Sequence, residues 1–215
     1  MLEIDSVTLT FSDKSILSGC YLNCKTGEIV GLLGRNGSGK SCLLRIIFGS
    51  LQADFMHLRI EGKILKQGFK SGNVAYLPQE SFLPPFLKIK QILKGVKFQK
   101  AFIIENELIK KIIELEVRDL SGGELRMIEC IWILNHPASY ILLDEPFSGI
   151  SPVQIEFLQH LIIETGKVKG IILTDHIYRP LMQVSNRIVL LHNKSVYNIA
   201  DESDLIRYNY IPAYA

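Results

Sequence analysis

Apolar residues in the first part of the chain recur at every second position. Leu2 and Ile4, then Val7, Leu9 and Phe11, place their side chains on one face of a strand. Ser12-Asp13-Lys14 reads as a turn, and Ile16 to Cys24 as a second strand with Cys20, Leu22 and Cys24 in step. Lys25-Thr26-Gly27 then leads into Glu28 to Leu33, whose unbroken apolar character suits a strand buried on both faces. From Cys42 to Phe48 the spacing becomes helical. Leu58 to Leu65, folded about Glu61-Gly62, predicts a short hairpin, and Val74 to Leu77 predicts a strand that Pro78 stops. Ile89, Ile92, Leu93 and Val96, and later Leu108, Ile109, Ile112, Ile113 and Leu115, recur at helix spacing, giving a small helical insert over about 80–120. A helix from Glu124 to Leu134 follows, then buried strands at Tyr140 to Leu143 and Gly170 to Thr174. Ile188 to Leu191 and Ser195 to Ile199 read as a final strand pair, and Asp201 to Asp204 as the start of a short helix. The whole is an α/β pattern in which the first two strands form an antiparallel edge beside a parallel core.

Between the third strand and the first helix lies Gly34-Arg35-Asn36-Gly37-Ser38-Gly39-Lys40-Ser41, which matches the phosphate-loop pattern G-x-x-x-x-G-K-[ST]. The glycines let backbone N–H groups turn inward around a polyphosphate, and the helix N-terminus adds partial positive charge. Lys40 supplies a point charge for the β- and γ-phosphates. Ser41 offers a hydroxyl to the magnesium ion that accompanies a nucleoside triphosphate.

Further polar groups stand where buried elements end. Gln79 follows the strand stopped by Pro78 and precedes an apolar loop, Phe82 to Leu87. Ser121 and Glu124 fit a capping box, but the intervening Gly122 and Gly123 weaken a helix by about 1 kcal/mol each relative to Ala. The expected return is bare backbone that a phosphate can approach. Asp144 and Glu145 close a buried strand, where two acids are costly unless an ion or a proton awaits them. Asp144 fits a magnesium-associated acid and Glu145 a base that polarises water. His176 emerges from the same sheet edge, where open α/β sheets bind ligands.

The 215 residues and 47% hydrophobic content support one sizeable domain. A formal charge of +2 argues against nucleic acid as a partner. No apolar run approaches the roughly 18 residues that span a bilayer, and the N-terminus lacks a signal-peptide layout, so a soluble, cytoplasmic protein is expected. Cys20, Cys24, Cys42 and Cys130 show no paired zinc spacing and are expected as buried free thiols. Two readings stay open. Phe11 either stacks on a base or continues the core pattern, and the run Lys88, Lys90, Lys94, Lys97, Lys100 either meets anionic headgroups or is a solvated face.

GRNGSGKS, YLPQ, LSGGE, ILLDEP and TDH, in this order over nearly the whole chain, resemble the nucleotide-binding subunits of ATP-binding cassette (ABC) transporters. The resemblance implies a P-loop NTPase core with a mixed, mainly parallel sheet, an antiparallel β edge subdomain and a small helical subdomain, in one domain over 1–215. It implies ATP at Phe11 and at Gly34, Arg35, Asn36, Gly37, Ser38, Gly39, Lys40, Ser41 and Cys42. Mg2+ falls to Ser41, Gln79 and Asp144, and catalysis to Glu145, His176, Lys40 and Gln79. Leu120 to Glu124 becomes the signature, whose Ser121, Gly122 and Gly123 serve the ATP of a second subunit in a head-to-tail dimer, more readily a homodimer than a heterodimer. The other implied partner is a polytopic membrane permease, which the loop after Gln79 and the helical insert would meet on the cytoplasmic face of a membrane. The alternative within the superfamily is a soluble ATPase of a non-transport machine, for example in iron–sulfur assembly. The chain departs from the family pattern at Ser151, where an aspartate is usual. The Thr174-Asp175-His176 order is similar to subunits of lipopolysaccharide-export and branched amino-acid systems.

Overall fold

Five hydrogen-bonded strands run parallel through the middle of the protein, and four of them end beside one another at the edge where the motifs lie. A computed structural model describes residues 1–212; the last three, which the expected domain boundary includes, lie outside the described residues. In chain order the elements begin with β1 (Leu2–Phe11), β2 (Lys14–Cys24), β3 (Ile29–Leu33), α1 (Lys40–Phe48), β4 (Phe55–Ile60), β5 (Lys63–Leu65) and β6 (Val74–Leu77). Next come α2 (Ile89–Lys94), α3 (Lys100–Glu105), α4 (Glu107–Ile112) and α5 (Gly122–Leu134). The chain continues through β7 (Tyr140–Asp144), α6 (Pro152–Gly166), β8 (Gly170–Thr174), α7 (Tyr178–Val184), β9 (Arg187–His192), β10 (Ser195–Ile199) and α8 (Glu202–Arg207).

The central sheet has the order β10-β9-β3-β8-β7-β6, parallel except for β10, which pairs antiparallel with β9. Its strands are apolar at nearly every position because each face buries alternate residues. Ile141 and Leu143 enter the cluster shared with the helices, whereas Tyr140 and Leu142 enter the one shared with the second sheet. Ile171 and Leu173 separate from Ile172 in the same way. The expected antiparallel unit is a sheet of its own, ordered β2-β1-β4-β5, so the first two strands join the hairpin rather than extend the parallel sheet. Helix α1 lies between the two sheets, with Leu43, Leu44, Ile46 and Ile47 fully buried there.

The phase change from Ile4 to Val7 has a local cause. Ser6 has φ 55°, and the pairing of β1 with β2 shifts register between Ile4 and Val7. This bulge restores Val7 and Leu9 to the inner face, at 0% and 2% exposure, while Phe11 ends 46% exposed. Phe11 is therefore not core.

The helical insert is made of α2, α3 and α4, each of six residues. Helix α2 stops at Lys94, with Gly95 as its cap, so Lys97 lies in the turn and Lys100 opens α3. The lysine run is thus not a single helix face, and Lys90 is paired with Glu114 at 2.6 Å. Ser121 caps α5 through the expected box: it accepts from the Glu124 N–H, and the Glu124 carboxylate accepts from the Ser121 N–H at 2.8 Å.

Candidate functional site

Strands β3, β8, β7 and β6 are consecutive neighbours, so parallel pairing delivers four chain segments to one edge. These are the phosphate loop after β3, Gln79 after β6, Asp144-Glu145 after β7 and Asp175-His176 after β8. A cavity of about 550 Å³ opens there. It is lined by Phe11, Asn36, Gly37, Gly39, Lys40, Ser41, Cys42, Gln79, Glu145 and His176, with Ile16 as the further wall.

Gly39 is the residue at the helix entrance, with φ 106°; a Cβ on it would sit 2.9 Å from Ile16. Only glycine supplies both that conformation and that closeness. Lys40 is 7% exposed and its ammonium donates to the carbonyls of Gly34, at 2.8 Å, and Arg35, at 3.4 Å. Burial pulls its pKa down, and the nearby carboxylates of Glu145, Asp144 and Asp175 oppose that shift. The Ser38 hydroxyl is buried without a hydrogen-bond partner among the described residues, a donor left over for a ligand.

The carboxylate side of the cavity is a chain of oxygen contacts. The Ser41 hydroxyl donates to Asp144 Oδ1 at 3.0 Å, and the Gln79 amide donates to Ser41 Oγ at 3.3 Å. The other Asp144 oxygen accepts from the Tyr76 hydroxyl at 2.9 Å. Burial raises the Asp144 pKa, while the Tyr76 and Ser41 hydrogen bonds resist the rise. Oxygen donors from a hydroxyl, a carboxylate and an amide side chain are the set a hard divalent cation takes, so these three residues fit Mg2+.

Glu145 stands in the left-handed region with φ 55°, a conformation that costs a non-glycine residue about 1–3 kcal/mol and collects at functional sites. Its N–H is held by the Thr174 carbonyl at 2.7 Å. That kink turns the carboxylate out of the strand toward the cavity, where Oε2 lies 3.6 Å from His176 Nδ1. His176 is itself placed by Asp175, which is completely buried and whose carboxylate accepts from the N–H groups of Phe147, at 2.8 Å, and Ile177, at 2.9 Å. Burial raises the Asp175 pKa against those two bonds.

Ser121, Gly122 and Gly123 do not line this cavity. Gly122 is open, with nothing near a Cβ built on it. Gly123 has a structural reason besides the expected bare backbone: a Cβ there would lie 2.8 Å from the Gly149 carbonyl, so close packing within the chain requires this glycine. Ser151 caps α6, accepting from the Gln154 N–H. Cys42 departs from the other three thiols. It is half-buried and faces the cavity, whereas Cys20, Cys24 and Cys130 are fully buried.

A family model described as ABC transporter matches residues 17–148, which is more than half of the chain and includes the phosphate loop, the signature and the acid pair. The chain belongs to the ABC transporter family. It is an ATP-binding subunit of an ABC transporter, and its reaction is ATP hydrolysis. The lipopolysaccharide export system ATP-binding protein LptB of Haemophilus influenzae is 28% identical over 204 residues, covering 87% of this chain and 85% of LptB. An uncharacterized ABC transporter ATP-binding protein of Methanocaldococcus jannaschii is 28% identical over 220 residues, covering 96% of this chain and 79% of the relative. The solved ATP-binding subunit of an ABC transporter superposes with a TM-score of 0.79 at 22% identity, over 100% of this chain and 95% of that one. A dimeric ATP-binding cassette in a post-hydrolysis state, bound to ADP and Pi, superposes with a TM-score of 0.75 at 20% identity, over 93% and 98%.

Three positions in this ABC subunit escaped the sequence reading. Tyr76 holds Asp144, but it looks like any other aromatic residue in a strand. Asp175 was read only as part of a motif string, yet its two backbone bonds tie the turn after β7 to the end of β8. Arg126 is 7% exposed and donates to the carbonyls of Pro78, at 2.6 Å, of Asp144, and of Glu145, at 3.2 Å. It also faces the 1%-exposed Glu129 at 3.4 Å. A signal was present: Arg126 and Glu129 are charges three residues apart in a helix otherwise apolar from Leu125 to Leu134.

Proposed function

We propose that this subunit binds ATP with Mg2+ between the phosphate loop and the end of β7, and hydrolyses it as one half of a homodimer. The observation that carries the reading is the convergence of Lys40, Ser41, Gln79, Glu145 and His176 on one cavity, with Glu145 held in a strained conformation that points at it. Ser41, Asp144 and Gln79 would hold the metal, which would neutralise charge on the phosphates when bound. Backbone N–H groups of the loop and the Lys40 ammonium bind the phosphates, and Phe11, exposed at the end of β1, offers its ring to the base. Glu145 accepts a proton from the attacking water as the water oxygen bonds to the γ-phosphorus and the bond to the ADP oxygen breaks. His176 and Lys40 stabilise the charge that spreads over the phosphoryl oxygens.

The signature of each copy serves the other copy's nucleotide. Gly122 supports this, because it is exposed and does not line its own chain's phosphate cavity. A single cassette spans 1–215 and attaches at the cytoplasmic face of a membrane through a polytopic permease. No helix among the described residues is long and apolar enough to cross a membrane. The loop after Gln79, with Phe86 70% exposed and Phe82 39%, is the apolar surface for the permease. The test is capture of tagged Glu145→Gln protein with ATP from detergent-solubilised membranes. A polytopic membrane protein is the expected companion, and recovery of soluble partners alone overturns the reading.

A further inference from the structure

Residues 208–210 carry no motif, yet the fold brings them against the phosphate loop. Helix α8 ends at Arg207 with Tyr208 as its cap, and the next residue, Asn209, turns the chain in the left-handed region with φ 55°. The Arg35 guanidinium donates to the Asn209 carbonyl at 2.7 Å, across 174 residues of sequence. Tyr210 is half-buried and lines one cavity together with Tyr208, Asn209 and the loop residues Arg35 and Ser38. The segment is fixed to the frame of the protein by aromatic contacts. Tyr208 lies 5.4 Å from the His192 ring and 5.2 Å from that of Tyr197, on β9 and β10, and Tyr210 meets Tyr178 edge-on at 6.4 Å.

Arg35 is a junction of the loop. Its carbonyl accepts from the Ser38 N–H, at 3.1 Å, and from the Lys40 ammonium. A triphosphate that draws the ammonium away removes one of those donors, and the loop then relies on what remains to hold Arg35. We propose that Tyr208–Tyr210 is a positioning strap for the phosphate loop, keeping Arg35 in place so that nucleotide binds a loop already ordered. This rests on the reading of the cavity as a nucleotide site, and it adds a role for a segment outside every motif. The strap touches loop residues and not the reacting atoms, so its effect falls on affinity.

The test uses Mg-ADP binding by calorimetry, which involves neither hydrolysis nor ATP-driven closure. Asn209→Val disfavours φ above zero and moves the carbonyl, whereas Asn209→Gly permits the native conformation. Asn209→Val is expected to weaken ADP binding about threefold to tenfold, the worth of one hydrogen bond. Asn209→Gly should bind and melt as wild type, and Asn209→Val should remain folded with a melting temperature only a few degrees lower, about what one lost hydrogen bond costs. Arg35→Ala should weaken binding alone and add little to Asn209→Val, because both remove the same contact. Wild-type affinity in Asn209→Val, or effects of Arg35→Ala and Asn209→Val that simply multiply, overturns the strap while leaving the nucleotide site standing. A wild-type protein that does not bind ADP overturns the nucleotide reading and the strap with it.

Discussion

Replacing Arg126 with methionine is expected to destabilise the protein by about 3–5 kcal/mol, the loss measured when one partner of a buried ion pair is removed. The structure supplies the reason. The guanidinium is 7% exposed and satisfies the carbonyls of Pro78, Asp144 and Glu145, while the Glu129 carboxylate beside it is 1% exposed. Without Arg126, Glu129 keeps only the Phe82 N–H, at 3.0 Å, as a donor among the described residues. A domain of this size loses about 2–4 °C of melting temperature per kcal/mol, so the fall in melting temperature is about 6–20 °C. Removing the orphaned acid as well, in Arg126→Met with Glu129→Leu, should restore much of the loss. Urea unfolding followed by circular dichroism measures both variants. A loss below about 1 kcal/mol for the single variant refutes the reasoning, as does a double variant no more stable than the single one.

Three further outcomes are expected. Lys40→Ala should bind ATP far more weakly, read by displacement of a fluorescent ATP analogue, and undiminished binding contradicts the phosphate loop. Tyr76→Phe keeps the ring packed against Phe48 but removes the hydroxyl on Asp144. Nucleotide affinity in EDTA should be unchanged while half-saturation by Mg2+ rises about tenfold, the worth of a hydrogen bond to a charged group; equal Mg2+ dependence refutes that role. Iodoacetamide should modify Cys42 in the native protein and spare Cys130, which is fully buried with its thiol pushed up to about 12; bound ATP should slow the reaction at Cys42.

Legibility in the sequence followed the range of the interaction involved. Strands β3, β7 and β8 were readable because burial on both faces leaves an unbroken apolar run, and the phosphate loop because its chemistry fixes residue types at adjacent positions. The end of α2 at Lys94 was not readable, since the lysine spacing continues past a helix that Gly95 closes. The packing role of Gly123 was not readable because its neighbour, Gly149, lies across a tertiary contact. The same holds for Arg126, whose carbonyl partners belong to the ends of β6 and β7, and for Asn209, which reaches the loop only once the sheet has formed. Local pattern thus revealed the groups that meet the nucleotide. The groups that hold those groups in place are specified by the fold.

Light scattering of Glu145→Gln protein, with and without saturating Mg-ATP, tests most directly the claim that this chain forms half of a composite site. The variant keeps the phosphate loop and signature but lacks the base, so ATP is expected to hold it at twice the monomer mass, with monomer in ADP and no detectable steady-state turnover. Protein that stays monomeric at saturating ATP, or a variant that continues to hydrolyse ATP rapidly, contradicts the account.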